Sequence, residues 1–244
     1  MIPMNNKMKV EVWSDVMCPF CYIGKRNYEK GLQLFAASKD IELVWKSFQL
    51  DPGISNDPEN RLDTYEYLSQ RKGISRDHVI QMHEQVTRMA AGAGLEFHLD
   101  KTQMVNSFKA HRFLQMAKEK GLADEAEEQL FYANFTEGKD FSDTGVLIEI
   151  GQQIGISETD VRESLSNDKY ADLVNLDFQK AREIGVTGVP FFVFNNKYAV
   201  SGAQAPESFA QVLEKSYSEW RIANPVKTLE VTEGPSCSPD GECQ

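Results

Sequence analysis

Cys18 and Cys21 stand two residues apart near the start of this chain, and Cys237 and Cys243 form a second close pair near its end. A Cys-x-x-Cys pair that opens a helix has a definite chemistry. The helix N-terminus carries unpaired N–H groups and partial positive charge, which favour a thiolate over a thiol. The first sulfur, on Cys18, is then the exposed nucleophile. The second, on Cys21, lies three residues on, on the same face and one turn deeper. It can attack a mixed disulfide on Cys18 from within and release the product. Zinc is the competing use of such a pair, but zinc needs two further ligands. No other Cys-x-x-Cys occurs, and His78 and His83 are spaced off a shared helix face. Metal ligation is therefore set aside, and inert buried thiols are the plain structural alternative.

The elements around the pair fit this chemistry. Lys9 to Ser14 alternates Val10 and Val12 against Lys9 and Glu11, the period of a strand. Pro19 suits the first turn of the helix that follows, which the pattern carries to about Ala37. Ile41 to Phe48 reads as a second strand, and Pro52, Gly53 and Pro58 mark a loop. From about Asn60 to Glu183 no strand is expected. Helical segments follow one another, among them Lys109 to Lys120 with Gly121 at its end and one opened by the capping box Ser157-Glu-Thr-Asp160. Strand character returns at Pro190 to Phe194. Asn195 and Asn196 make a turn, Lys197 to Ser201 is the return strand, and Pro206 to Trp220 is a final helix. The helices show no fixed repeat.

Two segments, at a set separation and in a set order, carry a resemblance. Val-Trp-Ser-Asp-Val-Met-Cys-Pro-Phe-Cys-Tyr-Ile-Gly (12–24) resembles the active-site signature of DsbA-like thioredoxin-fold oxidoreductases, in particular the FrnE-type branch. Gly-Val-Thr-Gly-Val-Pro-Phe-Phe-Val-Phe (185–194) is similar to the second signature. Gly202-Ala-Gln204 and the Cys-Ser-Pro-Asp-Gly-Glu-Cys tail (237–243) also fit that branch. The resemblance spans about residues 8–220. It implies an α/β thioredoxin-like fold, a small mixed sheet with flanking helices, interrupted by a large all-helical insertion. Residues 8–55 and 185–221 would form the discontinuous thioredoxin-like domain, 56–184 the insertion, and 222–244 a mobile tail.

The resemblance also implies roles. Pro190 would be cis and sit beside the cysteines, leaving the backbone of Val189 to pair with substrate, with Pro19 and Phe20 completing the substrate contacts. The plain alternative for Pro190 is a trans proline at a strand start. Trp13, Phe20 and Tyr22 are candidates for an apolar rim around the sulfurs, and core packing is their alternative, favoured for Trp13. Asp15 is either a helix cap or a proton acceptor for Cys21. The residues themselves, apart from the resemblance, suggest that Cys237 and Cys243, which the turn formers Pro239 and Gly241 can bring together, form an auxiliary redox pair that relays to the first; a local disulfide, or two free thiols with no contact to the first pair, is the alternative.

Other residues read as structural. His98 and His111 have no partner at motif spacing and are assigned to the surface or to satisfied core positions. Met82, Met89, Met104 and Met116 read as core filler rather than a groove. Glu125, Glu127 and Glu128 read as a solvated helix face.

Charge narrows the partners. The 37 acidic residues exceed the 26 basic ones, for a net charge of −11. That balance argues against nucleic acid and against an anionic membrane surface. No run approaches the roughly 18 apolar residues of a bilayer span, and the first residues lack a signal-peptide pattern. A cytoplasmic protein is expected, consistent with redox use of the cysteines.

The expected function is thiol–disulfide exchange through a mixed disulfide on Cys18. Substrates would be proteins or small thiols, a cellular reductant or oxidant would reset the pair, and no metal or organic cofactor is required. One alternative is a glutathione-dependent enzyme similar to kappa-type transferases and 2-hydroxychromene-2-carboxylate isomerases, with glutathione the candidate cosubstrate. Those enzymes typically keep a single Ser where Cys18 stands. A non-catalytic binder that uses the helical block as an apolar cradle is a third.

Overall fold

A computed structural model describes residues 7–225. The strand β1 (Met8–Ser14) is flanked on both edges. It pairs in parallel with β2 (Ile41–Ser47) and antiparallel with β3 (Phe191–Phe194), and β3 pairs antiparallel with β4 (Tyr198–Ser201). The sheet order is β2-β1-β3-β4. Being interior explains why β1 loses its alternation at the end, where Val12, Trp13 and Ser14 are all buried. The β3–β4 turn is made by Asn195 and Asn196, both at positive φ, a conformation that asparagine tolerates.

A parallel pair needs a crossover, and α1 (Pro19–Leu34) supplies it. With α9 (Pro206–Ala223) it covers one face of the sheet. The two helices touch closely at Gly31, where a Cβ would stand 2.7 Å from that of Phe209. Tyr28 stacks on Phe192 and meets Phe209 edge-on.

Between β2 and β3 the described residues form no strand. The block comprises α2 (Thr64–Lys72), α3 (Arg76–Ala93), α4 (Phe108–Glu119), α5 (Ala123–Tyr132) with a π-helical extension over Ala133–Glu137, α6 (Thr144–Gln153), α7 (Glu158–Ser166) and α8 (Asp168–Glu183). Ser157 caps α7 by accepting from Asp160 N–H, as the capping box predicts. Phe113, Met116, Leu130, Leu147 and Ile150 build a core of their own, which reaches Val16 and Met17 just before the cysteines. The last helix, α8, returns to the second face of the sheet. There Trp13 Nε1 donates to Asp177 O (3.0 Å), and Ser47 N–H and Gln115 Nε2 donate to the Asp177 carboxylate (3.0 and 2.6 Å).

Two ends differ from the sequence pattern. The first helix stops at Leu34, and α9 runs on through Ala223, so Ile222 is helical rather than the start of a tail. Cys237 and Cys243 lie outside the described residues.

Candidate active site

Cys18 is the N-cap residue of α1, with extended backbone (φ −95°, ψ 108°), and Pro19 follows in the first turn, where no N–H is required. The Cys18 N–H is held by Asp15 O (2.9 Å), and Cys21 N–H by Cys18 O (2.9 Å). Both cysteines are free thiols and both are buried, Cys18 at 4% and Cys21 at 1% exposure. The Cys18 thiol donates to Val189 O at 3.4 Å, and the Val189–Pro190 peptide bond is cis. Pro190 O in turn accepts from Gly202 N–H (2.8 Å). Sequence-distant segments are thus brought together at one sulfur.

Burial pushes the Cys21 thiol well up from its ordinary pKa, and the adjacent Cys18 raises it further. The Asp15 N–H and the Ser14 hydroxyl act the other way, because both favour a thiolate.

Asp15 is not a helix cap. Its carboxylate is fully buried and accepts from Met17 N–H (3.3 Å) and Leu50 N–H (2.7 Å), clamping the turn before Cys18 to the segment after β2. His111 Nε2 lies 3.5 Å from the same carboxylate. Neither ring nitrogen of this buried histidine has a hydrogen-bond partner, so it is not the satisfied core residue its isolation in sequence suggested. His98 is at the surface, beside Glu96.

A cavity of about 430 Å³ opens beside Cys18. Phe20, Leu68, Met82 and Met104 line it, with Arg71 and Lys72 along the same wall. Met82, read as filler, therefore lines a groove; Met104 lines it too but is packed in the core as expected, like Met116, while Met89 is exposed. Of the three aromatic candidates only Phe20 faces it. Trp13 is fully buried beneath α8, and Tyr22 stacks between Phe97 and Phe131 with its hydroxyl on Glu128 (2.5 Å).

A charged cluster behind α1 escaped the sequence reading. Lys25, 3% exposed, is ringed by Glu29, Asp124 (3.2 Å) and Glu128 (3.0 Å). Arg26 also pairs with Glu128. Glu127 is buried rather than solvated, and burial, with Asp124 nearby, pushes its carboxyl up to about 8. Among the described residues no group of three or more His, Cys, Asp or Glu side chains is arranged to hold a metal ion, and no helix is long and apolar enough to cross a membrane.

Residues 9–214 match the DSBA-like thioredoxin domain family, and the chain belongs to it. A probable DsbA oxidoreductase from Streptomyces coelicolor is similar throughout, with 33% identity, a TM-score of 0.81, and 97% of this chain and 98% of that one covered. The uncharacterized protein YwbO of Bacillus subtilis is 24% identical over 206 residues, which cover 84% of this chain and 94% of YwbO. The cytosolic disulfide reductase DsbM from Pseudomonas aeruginosa shares the fold at 15% identity, with a TM-score of 0.61 and coverage of 86% and 99%. The family is that of thiol–disulfide oxidoreductases, and its thioredoxin-like fold with a mixed four-stranded sheet is the one expected from the two signatures.

Proposed function

We propose that the protein exchanges disulfides with peptide or protein substrates through Cys18, with Cys21 as the resolving thiol. The observation that carries this reading is the position of the Cys18 sulfur. It stands at the start of α1, 3.4 Å from Val189 O and at the edge of an apolar groove, with Cys21 one turn behind. In the reducing direction the Cys18 thiolate attacks a substrate disulfide. A bond forms between Cys18 and one substrate sulfur, and the other leaves as a thiolate. Cys21 then attacks Cys18, the Cys18–Cys21 disulfide forms, and the second substrate sulfur departs with the proton. The substrate gains two electrons and the pair loses two. The reverse sequence oxidises a dithiol.

Val189 and Pro190, with Pro19 and Phe20, form the substrate-contacting rim on this reading. The groove suits an extended segment with apolar side chains. A cellular dithiol or disulfide resets the pair. Membership of the FrnE-type branch rests on residues 12–24, 185–194 and the tail cysteines. A cytoplasmic setting is part of this reading, because a chain with four cysteines in two close pairs suits redox use of thiols rather than a structural disulfide framework. Retention of both cysteines weighs against the glutathione-dependent isomerase reading. Cys237 and Cys243 are assigned as a second pair that exchanges with the first. A Cys237→Ser/Cys243→Ser variant should then be reset more slowly by a dithiol reductant.

The test is disulfide reduction in a model protein and dithiol oxidation in a model peptide, followed for wild type and Cys18→Ser. Loss of both activities in the variant is expected. Turnover that persists in Cys18→Ser and depends on glutathione would instead favour the isomerase or transferase reading.

A further inference from the structure

The groove beside Cys18 is lined by apolar side chains, among them Phe20, which is exposed despite its size, Leu68 and Met82. Its charged lining is of one sign. Arg71 and Lys72, both exposed, line it, and no aspartate or glutamate among the described residues does. The whole chain carries a net charge of −11, so its overall field disfavours anions. The groove inverts that sign next to the reactive sulfur. His83 lines the groove as well. Burial lowers its pKa against the pull of nearby Asp100, so it adds no charge at neutral pH.

The two cations differ. Arg71 is fixed in place, with Nη1 donating to Asp51 Oδ2 (2.6 Å) and Nη2 to Leu50 O (2.8 Å). Leu50 N–H donates in turn to Asp15 Oδ2 (2.7 Å), so Leu50 ties the guanidinium to the turn that leads into Cys18. Asp51 offsets the Arg71 charge. Lys72 pairs with no described residue, and its ammonium is the uncompensated charge of this wall. Its long flexible stem lets that charge follow a bound chain. We propose that the groove selects peptide or protein disulfides in which an apolar residue and, beyond it, an acidic residue flank the attacked cysteine. The apolar side chain enters among Phe20, Leu68 and Met82, and the carboxylate pairs with Lys72, with Arg71 extending the positive rim. The proposal rests on the thiol–disulfide reading above and names its substrate class. In the selected step the Cys18 thiolate bonds to the substrate cysteine. The substrate S–S bond breaks, and its second sulfur leaves as a thiolate.

The experiment uses the full chain with Cys21→Ala, so that the Cys18 adduct persists and its rate of formation is followed by mass. The probes are symmetric peptide disulfides with Leu beside the cysteine and Glu, Gln or Lys two residues further on. A fourth peptide keeps the Glu and replaces Leu by Ser. The Glu peptide should react about threefold faster than the Gln peptide, the effect of one rim ion pair, and the Lys peptide should be slowest. Net charge alone predicts the opposite order. The Glu-to-Gln ratio should fall to about one when Lys72→Gln is added, invert with Lys72→Glu, and shrink in about 1 M salt. The Ser replacement should slow the Glu peptide. Each ratio is taken within one protein, so a variant's altered stability cancels. Equal rates for Glu and Gln, or a Glu preference that survives Lys72→Glu, overturns the proposal and leaves Arg71 and Lys72 as complements to the α2 C-terminus alone. A Ser peptide as fast as its Leu counterpart overturns the apolar requirement. Absence of a Cys18 adduct with every peptide would instead overturn the thiol–disulfide reading, so the failures are distinct.

Discussion

A Cβ on Gly24 would stand 2.9 Å from Cγ of Pro190. The helix that begins at the cysteines therefore rests directly on the cis proline at Gly24, three residues after Cys21, and only glycine permits that approach. Gly24→Ala is expected to push α1 and the Val189–Pro190 turn apart, misplacing Val189 O relative to the Cys18 sulfur. Overpacking of this kind costs roughly 1–3 kcal/mol of stability. Activity should fall on the order of tenfold or more, because small misplacements at a reacting centre are expensive. Chemical denaturation and exchange rates on the same protein check both.

Glu127 gives a pH signature. Its carboxyl is raised to about 8 by burial, with Asp124 adding to the shift, whereas an unfolded glutamate titrates near 4.3. Between those values the folded protein binds a proton that the unfolded chain does not. This contribution is therefore fully present below the lower value and is lost as pH rises through about 8. Glu127→Gln should remove that slope. The variant should match wild type near pH 4 and exceed it at about pH 9, by up to a few kcal/mol, in urea unfolding across pH.

Lys25 holds three carboxylates together at the back of α1. Burial alone would lower its pKa, but Asp124, Glu29 and Glu128 together raise it, so the ammonium stays charged. Lys25→Met leaves those carboxylates facing one another. Because those carboxylates are partly exposed, a cost of about 1–2 kcal/mol is expected, below that of stranding a fully buried charge, measured by denaturant midpoint, with the loss smaller at acid pH where the carboxylates protonate.

What could be read in advance was local or doubly signed. Cys18 and Cys21 declare themselves by spacing, Pro190 by the segment around it, and the Asn195–Asn196 turn by residues that tolerate positive φ. Tertiary placement was not legible. Glu127 sits in the run Glu125-Ala-Glu-Glu128, which looks like a wet helix face. It is buried because α5 packs against both α4 and α1. Met82 and Met104 obey the same apolar pattern whether they fill a core or line a groove, and only the meeting of the helical block with Cys18 decides. Asp15 and His111 are 96 residues apart, and nothing in either neighbourhood points to the other.

The central claim is that the Cys18 sulfur forms the covalent link to substrate and that Cys21 breaks it. The most direct measurement is the intact mass and peptide map of Cys21→Ala protein after reaction with a peptide disulfide. The account predicts one peptide bound per chain, attached at Cys18, released by a dithiol reductant, and lost when Cys18→Ala is added. Failure to form an adduct, or an adduct that maps elsewhere and survives Cys18→Ala, would contradict it.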